Sequence, residues 1–212
     1  MPSLRQFIPL WSKEQGVSDP RLPRSRSRRS AAGDGAVSEP YEWRGLLRSA
    51  TDTEQLGRFI GQSLLGGEVL ALHGELGTGK TTLVRGIAIG LGVPAHIVNS
   101  PTFVLIHEYQ GRVPFAHADL YRIQAAPELQ HIGLSDYLDG QTTVVAIEWA
   151  DKCVFELPDD RLEVYLSHRS ARTRQVVLRA RGTAMRGLLV RVLQQRGALK
   201  ATNIPQQARP IR

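Results

Sequence analysis

The sequence predicts an α/β fold, a mainly parallel sheet flanked by helices with an antiparallel hairpin, on three observations. Short apolar runs of strand length alternate with segments of helical periodicity. One such run, Glu68-Val69-Leu70-Ala71-Leu72-His73, leads through a glycine-rich loop directly into a helical segment. Two further strand-like runs, Phe103 to Tyr109 and Val113 to Ala118, flank Gln110-Gly111 and read as a hairpin.

The elements follow in order. Residues 1–45 read as a disordered basic extension: the stretch from Pro20 to Ser30 is polar, arginine-rich and without periodicity. Glu14, Asp19 and Asp34 argue against an organelle transit peptide. Order is expected from Leu46, with a globular domain over 46–182. Thr51-Asp52-Thr53-Glu54 has the form of a capping box, and Leu56, Phe59, Ile60, Leu64 and Leu65 follow at helical spacing. Gly66-Gly67 ends that helix. After the glycine-rich loop, Leu83, Val84, Ile87 and Ala88 mark one buried helix face, and Gly90-Leu91-Gly92-Val93-Pro94 stops it. Residues 126–139 read as short helical pieces. Thr142 to Ile147 is β-branched and almost wholly apolar, as a strand buried on both faces must be. Leu162 to Leu166 and Arg174 to Leu178 read as strands and Met185 to Leu193 as a helix. Residues 183–212 thus hold a C-terminal helix and a basic tail.

Gly74-Glu75-Leu76-Gly77-Thr78-Gly79-Lys80-Thr81 satisfies G-x-x-x-x-G-K-[ST] at every fixed position. Glycines let successive backbone N–H groups turn inward around phosphate oxygens. Lys80 brings a mobile positive charge to the β- and γ-phosphates, and the Thr81 hydroxyl is suited to Mg²⁺. A strand before and a helix after, its N-terminal dipole facing the anion, complete a P-loop unit. The chain is therefore expected to bind a nucleoside triphosphate on a P-loop NTPase fold.

Such a loop needs an acid at the end of a neighbouring buried strand. Two compete: Glu148, ending Val144 to Ile147, and Asp119, ending Val113 to Ala118; Glu148 has the cleaner buried run before it. Ser100-Pro101-Thr102-Phe103 places two hydroxyls on a loop, either as a reporter of the γ-phosphate or as a plain connection into a strand.

Composition narrows the classes. The chain has 212 residues, and no apolar stretch reaches the roughly 20 residues that span a bilayer, so no membrane role is expected. A single cysteine, Cys153, excludes an intrachain disulfide and suits a reducing, cytoplasmic compartment. The net charge of +7 is partitioned: residues 51–163 carry 7 basic and 15 acidic side chains, residues 164–212 carry 11 basic and none acidic. Either the basic ends meet a polyanion or they are solvated; few aromatics interleave with them to stack bases. His107 and His117 could face each other across the hairpin, but no cysteine joins them as in a zinc site.

The P-loop, Ser100-Pro101-Thr102-Phe103, His117-Ala118-Asp119-Leu120-Tyr121-Arg122 and Glu148-Trp149, in that order and spacing, closely resemble the TsaE family, the bacterial ATPases of tRNA threonylcarbamoyladenosine biosynthesis. Leu157-Pro158-Asp159-Asp160-Arg161 also resembles the family's segment after Glu-Trp, and the resemblance covers roughly residues 46–182. It implies that Leu76, Gly77, Thr78, Gly79, Lys80, Thr81 and Thr82 bind ATP, with Thr102 near the γ-phosphate and Trp149 beside the nucleotide. Thr81 and Glu148 would ligate Mg²⁺, and Lys80, Asp119 and Glu148 would serve catalysis, Asp119 as a further acid placing water. Ser49 to Thr53 and a basic residue such as Arg172 or Arg174 would complete the pocket. Ala118 and Ala150 depart from the family, which commonly has an aromatic and a proline there; neither change removes a chemical group. The implied function is ATP hydrolysis supporting turnover of a complex with TsaD and TsaB, in which TsaD transfers the threonylcarbamoyl group and tRNA is met through the complex. One rival is a small-molecule kinase, but between residues 86 and 121 Arg112 is the only lysine or arginine, too few for an arginine-rich lid. A second, an assembly factor that binds ATP but hardly hydrolyses it, is left open by the sequence.

Overall fold

The computed structural model describes residues 41–98 and 105–199. Seven strands form one mixed sheet: β1 (Tyr41–Leu47), β2 (Val69–His73), β3 (Ile106–Gln110), β4 (Pro114–Asp119), β5 (Val144–Glu148), β6 (Arg161–His168) and β7 (Arg174–Arg181). Their spatial order is β1-β7-β6-β2-β5-β4-β3. The centre, β6-β2-β5-β4, is parallel, as the expected fold class requires. The expected hairpin β3-β4 closes one side, but Gln110, read from the sequence as part of the turn, ends β3 opposite Pro114, so the turn is residues 111–113. The other side holds a second antiparallel group, β6-β7-β1, of which the sequence had shown β6 and β7 only as isolated strands and β1 not at all.

Helices α1 (Ala50–Ser63), α2 (Lys80–Gly90) and α5 (Gly182–Leu199) cover one face, and α3 (Ala126–His131) and α4 (Leu134–Leu138) the other. The alternation of strand residues sorts them. Leu70, Leu72 and Ala146 point to α1 and α2, while Val69, Ala71, Val145 and Ile147 meet Leu129, Leu134 and Cys153. All five residues of β5 are buried, which confirms the two-sided burial read from its composition.

Several boundaries differ from expectation. The extension's limit at residue 45 falls inside β1, whose Trp43 and Leu47 enter the core while its backbone pairs with β7. The cap of α1 is Ser49 rather than Thr51: the Ser49 hydroxyl accepts from Asp52 N at 3.0 Å, and Asp52 accepts in turn from Arg48 N at 2.8 Å. Helix α5 begins at Gly182 and ends at Leu199, with Leu188, Leu189 and Val192 fully buried, so it belongs to the core. Residues 1–40 and 200–212, and with them most of the extension and the basic tail, lie outside the described residues.

Arg112, the lone arginine of the 86–121 stretch, is structural. Its Nη2 donates to Gly61 O at 3.2 Å and to Leu64 O at 2.7 Å, satisfying carbonyls at the end of α1.

Candidate functional site

The carboxyl ends of the adjacent strands β2, β5 and β4 lie side by side, and each delivers one part of the site. From β2 comes the loop Gly74–Gly79. Gly74 has φ +141°, and a Cβ there would lie 2.3 Å from Leu166 O, so only glycine fits between the loop and β6. Gly79, at φ +101°, is the N-cap of α2; no side chain caps that helix and no acid occupies its first turn. Its orphan N–H groups and dipole are thereby left to an anion. Thr78 is buried and donates to Glu75 O at 2.8 Å, bracing the loop from within, while Leu76 and Gly77 form its exposed tip.

Lys80 is buried on entering α2. Its Nζ donates to Gly74 O at 2.7 Å and Glu75 O at 3.0 Å and sits 3.8 Å from the centroid of the Trp149 ring. Burial lowers its pKa, against the opposing pull of Glu148, Asp119 and Asp151. Trp149 has φ +59°, alone among the described non-glycine residues in the left-handed region, and its ring lies 5.1 Å from that of Tyr121.

The two acids that the sequence left in competition are partners across β4 and β5: Asp119 pairs with Glu148. Glu148 is the one that meets the loop helix. The Thr81 hydroxyl donates to Glu148 Oε2 at 3.0 Å, and Glu148 Oε1 lies 2.9 Å from His117 Nε2. Asp119 Oδ1 accepts from Tyr121 N at 3.0 Å; burial raises its pKa, Tyr121 N opposes this and Glu148 adds to it. A hydroxyl and a carboxylate oxygen are hard donors, few in number, as suits an ion that keeps water and phosphate oxygens in its shell. The residues present fit Mg²⁺.

A cleft of about 490 Å³ opens beside this pair, lined by Ala50, Thr51 and Glu54 of α1, Thr81, Thr82 and Arg85 of α2, with Val98 and His117. It brings the expected Ser49–Thr53 segment up to the loop helix. Arg174 Nη2 donates to Gly77 O at 3.3 Å, so of the two proposed arginines this one touches the loop. Thr102 and its Ser-Pro neighbours lie outside the described residues.

Three residues near the site went unassigned in the sequence. His117 touches Glu148, as above. Lys152 donates to Tyr121 O at 2.5 Å and Ile123 O at 2.6 Å, tying the segment after Asp119 to the turn after Trp149. His168 Nε2 lies 3.5 Å from Leu76 O. Only His117 had a visible signal: two positions before Asp119 on a strand, it shares that residue's face. His117 and His107 are cross-strand neighbours, but His107 Nδ1 lies 3.4 Å from the Tyr109 hydroxyl. No three His, Cys, Asp or Glu side chains group for a metal among the described residues.

The family model described as threonylcarbamoyl adenosine biosynthesis protein TsaE matches residues 47–176, a span that holds the loop, Asp119 and Glu148. The chain belongs to the TsaE family. The tRNA threonylcarbamoyladenosine biosynthesis protein TsaE of Bacillus subtilis (strain 168) is 37% identical over 142 residues, covering 66% of this chain and 86% of that one. The TsaE of Nostoc sp. (strain PCC 7120) is 40% identical over 134 residues, 61% of this chain and 81% of the relative. The crystal structure of YdiB from Bacillus subtilis superposes with a TM-score of 0.63 at 28% identity, covering 74% of this chain and 97% of that one. The TsaE match thus joins this chain to tRNA threonylcarbamoyladenosine biosynthesis, and the YdiB match joins its P-loop fold to a solved structure. No helix among the described residues is long and apolar enough to cross a membrane.

Proposed function

We propose that this TsaE-family chain is a cytoplasmic, Mg²⁺-dependent ATPase that supports turnover of a TsaD–TsaB threonylcarbamoyl-transfer complex. The observation that carries the reading is the convergence of Lys80, Thr81 and Glu148 where the uncapped start of α2 meets the end of β5. In it, Leu76 to Thr82 bind the phosphates of ATP. Lys80 exchanges the Gly74 and Glu75 carbonyls for β- and γ-phosphate oxygens. Thr81 and Glu148 would hold the cation, which would supply positive charge to offset that of the phosphates. Asp119, part-buried beside Glu148, orients the attacking water. Trp149 borders the nucleotide.

Positioning and charge supply most of the catalysis in phosphoanhydride hydrolysis. Turnover in isolation is expected to be slow and to rise with the partner complex. The transfer chemistry belongs to TsaD, and tRNA is reached through the complex. Reconstitution with TsaD, TsaB and tRNA, following ATP consumption and modified tRNA together, tests this. Equal ATP turnover with and without the partners, or undiminished repeated modification by a Lys80→Ala chain, would refute it.

A further inference from the structure

We propose that His117 is a positioning residue for the cation site: it holds one carboxylate oxygen of Glu148 so that the other stays turned towards Thr81. The inference rests on the ATP–Mg²⁺ reading above and adds a residue to it. The terminal torsion of a glutamate is soft, so a lone carboxylate presents its oxygens over a broad range of angles. Glu148 lacks that freedom. Its Oε1 lies 2.9 Å from His117 Nε2 and its Oε2 accepts from Thr81 at 3.0 Å, with the residue 2% exposed.

The imidazole is itself fixed. His117 is 1% exposed on β4, paired in register with Ala146, two residues before Glu148 on the same face of β5. A carboxylate only accepts, so Nε2 carries the proton and donates. With Oε1 committed in this way, Glu148 offers a single oxygen to a cation at the Thr81 hydroxyl. Nδ1 is buried with no hydrogen-bond partner among the described residues, so the ring's one polar contact there is the one to Glu148. A buried imidazole kept for packing alone would be matched by an apolar side chain. One kept for orientation would not, because partners behind metal ligands typically contribute about 10- to 100-fold in metal affinity.

The test compares wild type, His117→Leu and His117→Gln, the last because its amide N–H can reach Oε1 as Nε2 does. Mn²⁺ binding to the ATP-bound full chain is read by electron paramagnetic resonance, ATP affinity is measured in excess EDTA, and thermal unfolding is followed in parallel. The expected result is Mn²⁺ binding weakened about tenfold or more in His117→Leu, with ATP affinity in EDTA unchanged within about twofold and much of the Mn²⁺ affinity regained in His117→Gln. Unchanged Mn²⁺ binding in the leucine variant would overturn the assignment. So would a parallel loss of metal-free ATP affinity or thermal stability that glutamine does not repair, since packing would then explain it. A wild-type chain whose ATP binding takes up no Mn²⁺ would sink the ATP–Mg²⁺ reading and this inference with it.

Discussion

The Thr81 hydroxyl and the Glu148 carboxylate, 67 positions apart in the chain, meet at 3.0 Å. The contact joins the first turn of α2 to the last residue of β5, and the proposed cation site needs both elements. Glu148→Gln keeps the shape and the Thr81 contact but removes the charge. It should bind ATP in EDTA like wild type, lose the Mg²⁺ enhancement of that binding, and hydrolyse ATP roughly a hundredfold or more slowly. Isothermal titration with and without Mg²⁺, beside a phosphate-release assay, checks it; retained Mg²⁺ enhancement would take Glu148 out of the site.

Lys80 rests against Trp149, and the proposed phosphates would draw its ammonium away from the ring. Trp149 emission should therefore change on ATP binding. The sequence has two other tryptophans, Trp11 and Trp43, and Trp43 is buried in the core under Arg196. A fluorescence titration should show an ATP-dependent change in wild type that disappears in Trp149→Phe. Persistence of the full signal in that variant would place its source elsewhere.

What was legible in the sequence follows from how local each signal is. The loop declared itself because phosphate binding demands fixed residue types at fixed spacing, and β5 because a strand buried on both faces must be apolar throughout. Asp119 and Glu148 could be found as acids ending buried runs, but choosing between them required the pairing of β4 with β5. Strand β1 was missed because Tyr41–Leu47 gains its stability from β7, more than 120 residues later, and its own alternation is weak. The choice between Ser49 and Thr51 as cap turned on where that strand ends. His117 stood in view beside Asp119, yet its link to Glu148 is a property of two strands.

A row of glycines was equally silent until two helices were laid together. Gly57 and Gly61 of α1 face Gly86 and Gly90 of α2 so closely that a Cβ on Gly86 would lie 2.1 Å from Glu54 O, and one on Gly57 2.2 Å from Leu83 O. Backbone cannot swing aside as a side chain can. Gly86→Ala should cost about 1–3 kcal/mol in stability and, by pushing α2 from its seat, weaken ATP binding too. Gly197→Ala in α5 is the control: its Cβ meets nothing within 4 Å, and helix propensity alone should stabilise by up to about 1 kcal/mol. Chemical denaturation of both variants decides; equal midpoints would mean that the helix contact carries no strain.

Glu163 anchors the polar face of β6 and β7. It is buried, with Arg181 Nε at 2.7 Å and Arg161 Nη2 at 2.8 Å from Oε1, and the Tyr165 hydroxyl donating to Oε2 at 3.0 Å. Burial alone would push its carboxyl pKa up, but the hydrogen bond and charge of Arg181, the Tyr165 hydroxyl and Arg161 outweigh it, and the net shift is downward. A carboxylate whose folded pKa is depressed lends stability that is fully present above its unfolded value, about 4.3, and is lost as pH falls through the lower folded one. Glu163→Gln should therefore unfold more easily than wild type at pH 7, by about 1–3 kcal/mol. The lower end is favoured because Arg181 is 43% exposed and water screens its charge. The gap should narrow as the pH drops below about 4, where wild type too begins to lose the charge. Urea unfolding at pH 7, 5 and 3.5 measures it; a gap that stays constant across the three would show that the arginines draw no stability from the ionised carboxylate.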